Sequence, residues 1–252
     1  MSYSAFALYY DRLTQNVNYP QRAEYFCNLM GKFQHDAGLT LDLACGTGSL
    51  TLELAKRGVD VYGVDSSPAM LSVAQQKAAD ADMQLLFLCQ KMQKLDLYGT
   101  VDTVICALDS INHITNQKDV QKTFERVSLF LNPRGYFIFD MNTPYKHKYI
   151  LGNHTFVYDM DDVYCVWQNS YESKYDRVAI NLDFFCREGN VYYKSSEYFF
   201  ELAYETDCIL SMLSKAGLKT VGFFDELTFK KPNDKTERIV FVAKKETNKG
   251  IL

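Results

Sequence analysis

The sequence has no pair of cysteines two residues apart, no Cys/His spacing of a zinc site and no low-complexity stretch beyond a short KKETNKGIL tail. Its seven cysteines stand singly, which argues against a disulfide framework and for a reducing compartment. With 13 glycines and 5 prolines in 252 residues, collagen-like or disordered composition is excluded. No apolar run approaches the roughly 20 residues that cross a bilayer. The opening MSYSAFALYYDRL lacks the basic-then-apolar pattern of a secretion signal. A cytoplasmic protein, away from the membrane, is therefore expected. A basic excess is missing too: 31 acidic side chains stand against 27 basic ones, a net charge of −4. Clustered Lys and Arg normally carry nucleic-acid binding, so a nucleic-acid partner is not indicated.

What is present is an alternation of short apolar runs and amphipathic segments. Leu39–Ala44 reads as a strand that breaks at Cys45-Gly46-Thr47-Gly48. A helix follows with Leu50, Leu54 and Ala55 on one face, and Gly58 suits its C-terminal stop. Val59–Val64 is a second strand, and Ser67-Pro68 is a helix start. Gln84–Cys89, Val101–Leu108 and Tyr136–Asp140 read as further strands, with a helix opened by Asn116 and Asp119 before the Asn132-Pro133-Arg134-Gly135 turn. Strands separated by helices of this length predict βαβ units and a parallel sheet.

The texture changes after Pro144. Between His154 and Leu202 lie four strand-like stretches dense in Tyr, Phe and Val, with Gly189-Asn190 as a hairpin turn. They predict an antiparallel sheet inserted into the α/β core, followed by a helix over Glu205–Ala216 and strands at Thr220–Asp225 and Arg238–Lys244. The expected organisation is thus core over residues 1–143, insertion over 144–202 and the rest of the core over 203–252.

The chemistry concentrates at Asp42-Leu43-Ala44-Cys45-Gly46-Thr47-Gly48. A strand that stops on glycines and opens a helix exposes backbone N–H groups and lets a ligand approach closely. Asp65 follows Gly46 by nineteen residues, at the next strand tip, where a carboxylate can accept from both ribose hydroxyls of an adenosine. A third glycine of the dinucleotide fingerprint is absent, Thr51 standing there, and no phosphate-loop G-x-x-x-x-G-K-S/T occurs. Asp42, just before the glycines, would repel phosphate and tolerate a cation. The combination favours S-adenosylmethionine (SAM), with its ammonium and sulfonium.

These residues resemble the class I SAM-dependent methyltransferases. DLACGTG matches their first motif, VYGVDSSPAML the second, FLCQKMQKLDL the third and VDTVICALDSINHI the fourth, with LNPRGYFIFDMNTP as the strand that follows. The Y-D-x-L start and the β insertion are similar to small-molecule enzymes such as nucleotide-amino-sugar N-methyltransferases. The resemblance implies a Rossmann-like three-layer α/β/α sandwich with a seven-stranded, mostly parallel sheet and an antiparallel β lid. It implies that Ala44, Cys45, Gly46 and Gly48 line the methionine and ribose side of SAM. Asp65 would hold the ribose, Ser66, Met70 and Met92 the adenine, and the Leu108 carbonyl the ammonium. Tyr10 and Tyr19 would reach the methionine carboxylate, although ordinary aromatic packing would equally account for them. Lys91 stands where many members carry an aspartate that accepts from the adenine amine. A lysine cannot accept, so that contact would pass to backbone or to Gln90.

Methyl transfer needs acceptor, methyl and sulfur held in line, water excluded and, for an amine or hydroxyl acceptor, a group that takes up a proton. Asp109 and His113, after the fourth strand, would share a face if that segment were helical, and imidazole is the side chain that ordinarily exchanges a proton near neutrality. The bland alternative is a capped turn with a packed histidine. His147 and His154 are weaker candidates, and His35 reads as a surface residue. No metal cluster is evident, so metal-independent catalysis is expected. Of the insertion's aromatics (Tyr158, Tyr164, Trp167, Tyr171, Tyr192, Tyr193, Tyr198, Phe199 and Phe200), half should face the core and half away. The outward half would leave apolar area that a second copy could bury as a homodimer. The expected activity is methyl transfer from SAM to a small-molecule nitrogen or oxygen. The alternatives are an RNA or protein methyltransferase acting with a partner, and a non-catalytic sensor of SAM or S-adenosylhomocysteine.

Overall fold

The computed structural model describes residues 4–246, so the tail beyond Glu246 lies outside the described residues. Two helices come first, α1 (Ser4–Leu13) and α2 (Tyr19–Lys32). The core continues as β1 (Thr40–Leu43), α3 (Ser49–Lys56), β2 (Val61–Asp65), α4 (Pro68–Asp80), β3 (Phe87–Cys89), β4 (Val101–Cys106), α5 (Gln117–Phe130) and β5 (Leu131–Asn142). Four strands follow, the short β6 (Thr155–Asp159) and the longer β7 (Val163–Glu172), β8 (Arg177–Glu188) and β9 (Val191–Leu202). Helix α6 (Thr206–Lys215) and strands β10 (Leu218–Asp225) and β11 (Arg238–Lys245) complete the chain.

The strands form a seven-stranded sheet in the order β10-β11-β5-β4-β1-β2-β3 and a separate four-stranded sheet β6-β7-β8-β9. In the first sheet only the pairings of β11 are antiparallel. Strand alternation divides its side chains between two helical layers. Ile105, Tyr136, Ile138 and Val240 pack with Phe26 and Leu29 of α2 and Leu54 of α3. Val104, Phe137, Phe139 and Phe241 pack on the other face with Phe124 of α5 and Ile209 and Leu213 of α6. Period-two burial on both faces is what a three-layer sandwich requires of its central strands. Because β1 leads to β2 on one side and β4 lies on its other side, a crevice opens at the carboxyl ends of β1 and β4.

Local chemistry sets the boundaries. The Ser67 side chain accepts from the Met70 N–H with Pro68 in the first turn, and Asn116 accepts from the Lys118 N–H. Gly58 and Gly217 take left-handed φ after their helices. The expected turn at 132–135 is a looped-out bulge within β5: Val101 pairs with Leu131 and Thr103 already with Tyr136. His35, expected on the surface, is half-buried, its Nε2 2.7 Å from the Thr103 hydroxyl and its ring 4.2 Å from that of Tyr136.

The four-stranded sheet stands over the crevice. Its inner face carries Val163, Cys165, Ile180, Leu182 and Phe184, and α1 packs on it through Phe6, Tyr9 and Leu13. Asn112 ties this sheet to the core. Its side-chain amide donates to the Asn142 carbonyl (3.1 Å) and the Leu202 carbonyl (3.0 Å), while its Oδ1 accepts from the Asn142 N–H (3.0 Å). One fully buried side chain thus joins the ends of β5 and β9.

Candidate active site

Two adjoining cavities lie at the crevice. The larger, about 550 Å³, runs from the glycine loop to the inner face of the four-stranded sheet. The smaller, about 30 Å³, is a pocket under the loop.

After β1 the backbone turns through left-handed conformations at Ala44, Gly46 and Gly48, with φ of 62°, 54° and 72°. Nothing would meet a Cβ on Gly46, so glycine is favoured there by φ and leaves the loop open. Gly48 lines neither cavity. A Cβ there would stand 2.9 Å from that of Ala74 and 3.3 Å from the Phe87 ring, so its bare Cα serves the packing of α3 on α4 and β3. Asp65 closes the loop, accepting from the Gly46 N–H at 3.0 Å and the Ser67 N–H at 2.8 Å. Each oxygen retains acceptor capacity. Burial raises its carboxyl above the usual range, against the pull of the Ser67, Gly46 and Ser66 amides.

Asp42 is buried under the loop, and its carboxylate accepts from the Thr51 hydroxyl at 2.6 Å. Burial pushes its carboxyl up to about 7, and among the described residues no Lys or Arg lines the pocket it shares with Tyr10, Tyr19 and Cys45. Burial also raises both phenols, keeping them protonated as donors. Helix α1 is fastened to the loop by Asp11, which accepts from Thr47 at 2.7 Å and Ser49 at 2.9 Å and pairs with Lys77 at 2.7 Å.

The tip of β4 is set by a buried carboxylate. Asp140 on β5 accepts from the N–H groups of Leu108 (3.0 Å) and Asp109 (2.7 Å), both in left-handed conformation. Arg22 and Arg238 neutralise Asp140 at 3.3 and 2.7 Å. Arg238 also pairs with Asp109 at 2.6 Å and Glu226 at 3.2 Å. Burial pushes the Asp109 carboxyl up, but Arg238, then Lys146 and His113, outweigh it and hold it well below its ordinary value. Asp109 is therefore a fixed carboxylate that does not take up a proton near neutrality. The segment from Leu108 to His113 is a run of turns and not the helix that spacing suggests, yet both Asp109 and His113 reach the large cavity.

Of the residues expected to hold a cofactor, Tyr10, Ala44, Gly46 and Asp65 line the large cavity, as do Ser66, Met70, Met92 and Leu108. Tyr19 and Cys45 line the smaller pocket. Lys91 is exposed and lines neither, and the Gln90 amide is engaged on both sides by the Asp96 backbone. Among the insertion's aromatics Tyr158, Trp167 and Phe199 face the cavity, while Tyr164 and Tyr198 point away and are exposed. Phe156, unremarked in the sequence, joins the inward set. So do Lys146, Glu201 and Arg238, whose partners are too remote in sequence for spacing to reveal.

Comparison with known proteins agrees with this geometry. The methyltransferase-domain family matches residues 40–135, the stretch holding the glycine loop and Asp65. A protein of Bacillus subtilis (strain 168) named "Putative methyltransferase YqeM" is 32% identical over 247 residues, 97% of this chain and 98% of the relative. The crystal structure of an S-adenosylmethionine-dependent methyltransferase from Clostridium acetobutylicum superposes with a TM-score of 0.87 at 34% identity, covering 98% of this chain and 100% of that one. The sugar N-methyltransferase KedS8 of Streptoalloteichus has the same fold, with a TM-score of 0.78 at 20% identity over 94% of this chain and 93% of its own. The chain belongs to the SAM-dependent methyltransferase family. Among the described residues no helix is long and apolar enough to cross a membrane.

Proposed function

We propose that this chain transfers a methyl group from SAM to a small-molecule acceptor, a nitrogen before an oxygen, held between the glycine loop and the four-stranded sheet. The observation that carries the reading is the larger cavity, whose walls are the glycine loop with Asp65 on one side and His113, Trp167 and Phe199 on the other. The donor set under the loop fits SAM. Buried Asp42, with no cationic side chain in its pocket among the described residues, complements an ammonium and disfavours phosphate, and Tyr10 and Tyr19 can donate to a carboxylate. Asp65 has acceptor capacity left for ribose hydroxyls, while Ser66, Met70 and Met92 offer an adenine its walls.

SAM supplies a methyl group already activated by the sulfonium. The chain's part is positional: Asp140 fixes the β4 tip, Asn112 fixes the sheet above it, and the aromatic wall excludes water. His113 stands in the cavity as the group suited to receive the proton an amine or hydroxyl releases. The seven unpaired cysteines support a reducing, cytoplasmic setting. Exposed Tyr164 and Tyr198 on the outer face of the four-stranded sheet support a homodimer.

Calorimetric titration with SAM tests the reading, with micromolar binding expected, about −8 kcal/mol. Incubation with a metabolite extract should release S-adenosylhomocysteine. Binding of NADH without SAM would refute the site. SAM binding without turnover in any extract would instead point to a sensor, and co-purified RNA to a partner-dependent enzyme.

A further inference from the structure

Three side chains in the large cavity come from segments far apart in the chain: Asp109 and His113 after β4, and Glu201 near the end of β9. Their ligand-capable atoms all lie within 4.8 Å of one another. Glu201 is the unusual member. It sits on the inner face of the four-stranded sheet, 4% exposed, and each of its oxygens faces an imidazole. The His113 Nε2 is 3.6 Å from Oε1, and the His147 Nε2 is 3.3 Å from Oε2. His147 is wholly buried, and among the described residues neither of its ring nitrogens nor Glu201 Oε2 has a hydrogen-bond partner. A buried carboxylate oxygen beside a buried imidazole, both unsatisfied, is costly unless another charge completes the arrangement.

We propose that Asp109, His113 and Glu201 form a binding site for a divalent transition-metal ion, with His147 supporting Glu201 from behind. Ligand atoms about 2.0–2.1 Å from a tetrahedral ion stand about 3.3 Å apart, so the present separations close onto an ion with small side-chain movements. As Glu201 Oε1 meets the ion, Oε2 accepts from the His147 N–H, an outer-shell contact of the kind that orients metal ligands. Asn112 already braces the frame, since it lies between Asp109 and His113 in sequence and bonds the backbone of Leu202, next to Glu201. Asp109 keeps one oxygen for the ion, because Arg238 occupies the other. Imidazole with carboxylates and no thiolate suits Zn²⁺ or Mn²⁺ better than Mg²⁺ or Ca²⁺. Arg238 and Lys146 nearby oppose a dication, which sets the expected affinity at micromolar rather than nanomolar. All three ligands line the cavity, so the ion's open position faces the acceptor space, where it would take an oxygen or nitrogen lone pair; with the ion bound, the His113 lone pair is engaged, and its role as proton acceptor belongs to the ion-free protein.

The test needs neither SAM nor acceptor, so its failure leaves the methyl-transfer reading standing. Chelator-stripped protein titrated with ZnCl₂ should take up one ion per chain, and MgCl₂ should give no comparable binding. His113→Gln, at a half-exposed position, and Glu201→Gln, checked for folding by circular dichroism, should each weaken zinc binding at least about tenfold. Co²⁺ substituted for zinc should show the d–d spectrum of nitrogen and oxygen ligation without a thiolate charge-transfer band. Absence of stoichiometric uptake, a thiolate band, or unchanged affinity in His113→Gln would overturn the site.

Discussion

The glycine-loop wall of the cavity comes largely from one stretch, Asp42 to Met70, and its polar groups are bonded mainly within that stretch or to Asp11 of the helix above. The opposite wall gathers Asp109, His113, Lys146, Trp167, Glu201 and Arg238 from loops and strands scattered between residues 109 and 238. The first wall is set by backbone conformation, the second by buried charge. Local sequence therefore determines the first wall, while the second depends on the assembled fold.

Removing the charge that anchors the second wall should have the largest effect. Arg238→Met strips Asp109, Asp140 and Glu226 of a shared, buried guanidinium. A loss of about 3–5 kcal/mol in urea-unfolding free energy is expected. A loss below about 1 kcal/mol would mean that the second wall does not rest on buried charge.

Asp65→Ala probes the first wall. It removes a carboxylate acceptor, so SAM affinity should fall by about 2–3 kcal/mol by calorimetry. The fold should survive, because Asp65 bonds only nearby backbone. Comparable damage to stability would erase the contrast between the two walls.

Asp42 adds a pH signature to the same wall. Its folded carboxyl is raised to about 7 from an ordinary 3.8, the reverse of a salt-bridged aspartate. Between these values the folded state binds the extra proton, so this group's contribution to stability declines as pH rises from 4 to 7 and levels off above. A cationic ligand prefers the ionised form. SAM affinity should therefore weaken roughly tenfold per pH unit below 7, about 1.4 kcal/mol. Asp42→Asn should flatten both dependences.

The smallest effect is expected on the outer face of the four-stranded sheet. Tyr164→Ser should change monomer stability by no more than about 0.5 kcal/mol in thermal unfolding. If the homodimer forms there, the same substitution should shift sedimentation toward the monomer.

Legibility in the sequence followed the same division. Strand, glycines, helix and Asp65 lie within one short stretch, so the loop is legible from the sequence, and its residue types point to SAM, the cofactor of the family to which the chain belongs. The four strands of the second sheet were also plain, because Tyr, Phe and Val crowd these stretches and Gly189 takes the left-handed conformation a hairpin needs. Helix α2 was missed although Asn18 caps it, Pro20 sits in its first turn and Ala23, Phe26 and Met30 share its buried face. The turns of the Asp109–His113 segment, one of the two forms its spacing left open, are set by Asp140, thirty-one residues beyond Asp109. The pairing of Arg22 with Asp140 spans 118 residues, and no spacing rule reaches that far. Glu201 and His147 were invisible as partners for the same reason: strand register and a π-helical segment, Lys146–Leu151, bring them together.

The most direct measurement is a crystal structure of the protein with S-adenosylhomocysteine bound. The expected result is the ribose on Asp65, the adenine between Ser66, Met70 and Met92, and the sulfur directed across the cavity toward His113 and Trp167. An adenosyl ligand seated outside this cavity, or a sulfur turned away from the four-stranded sheet, would contradict it.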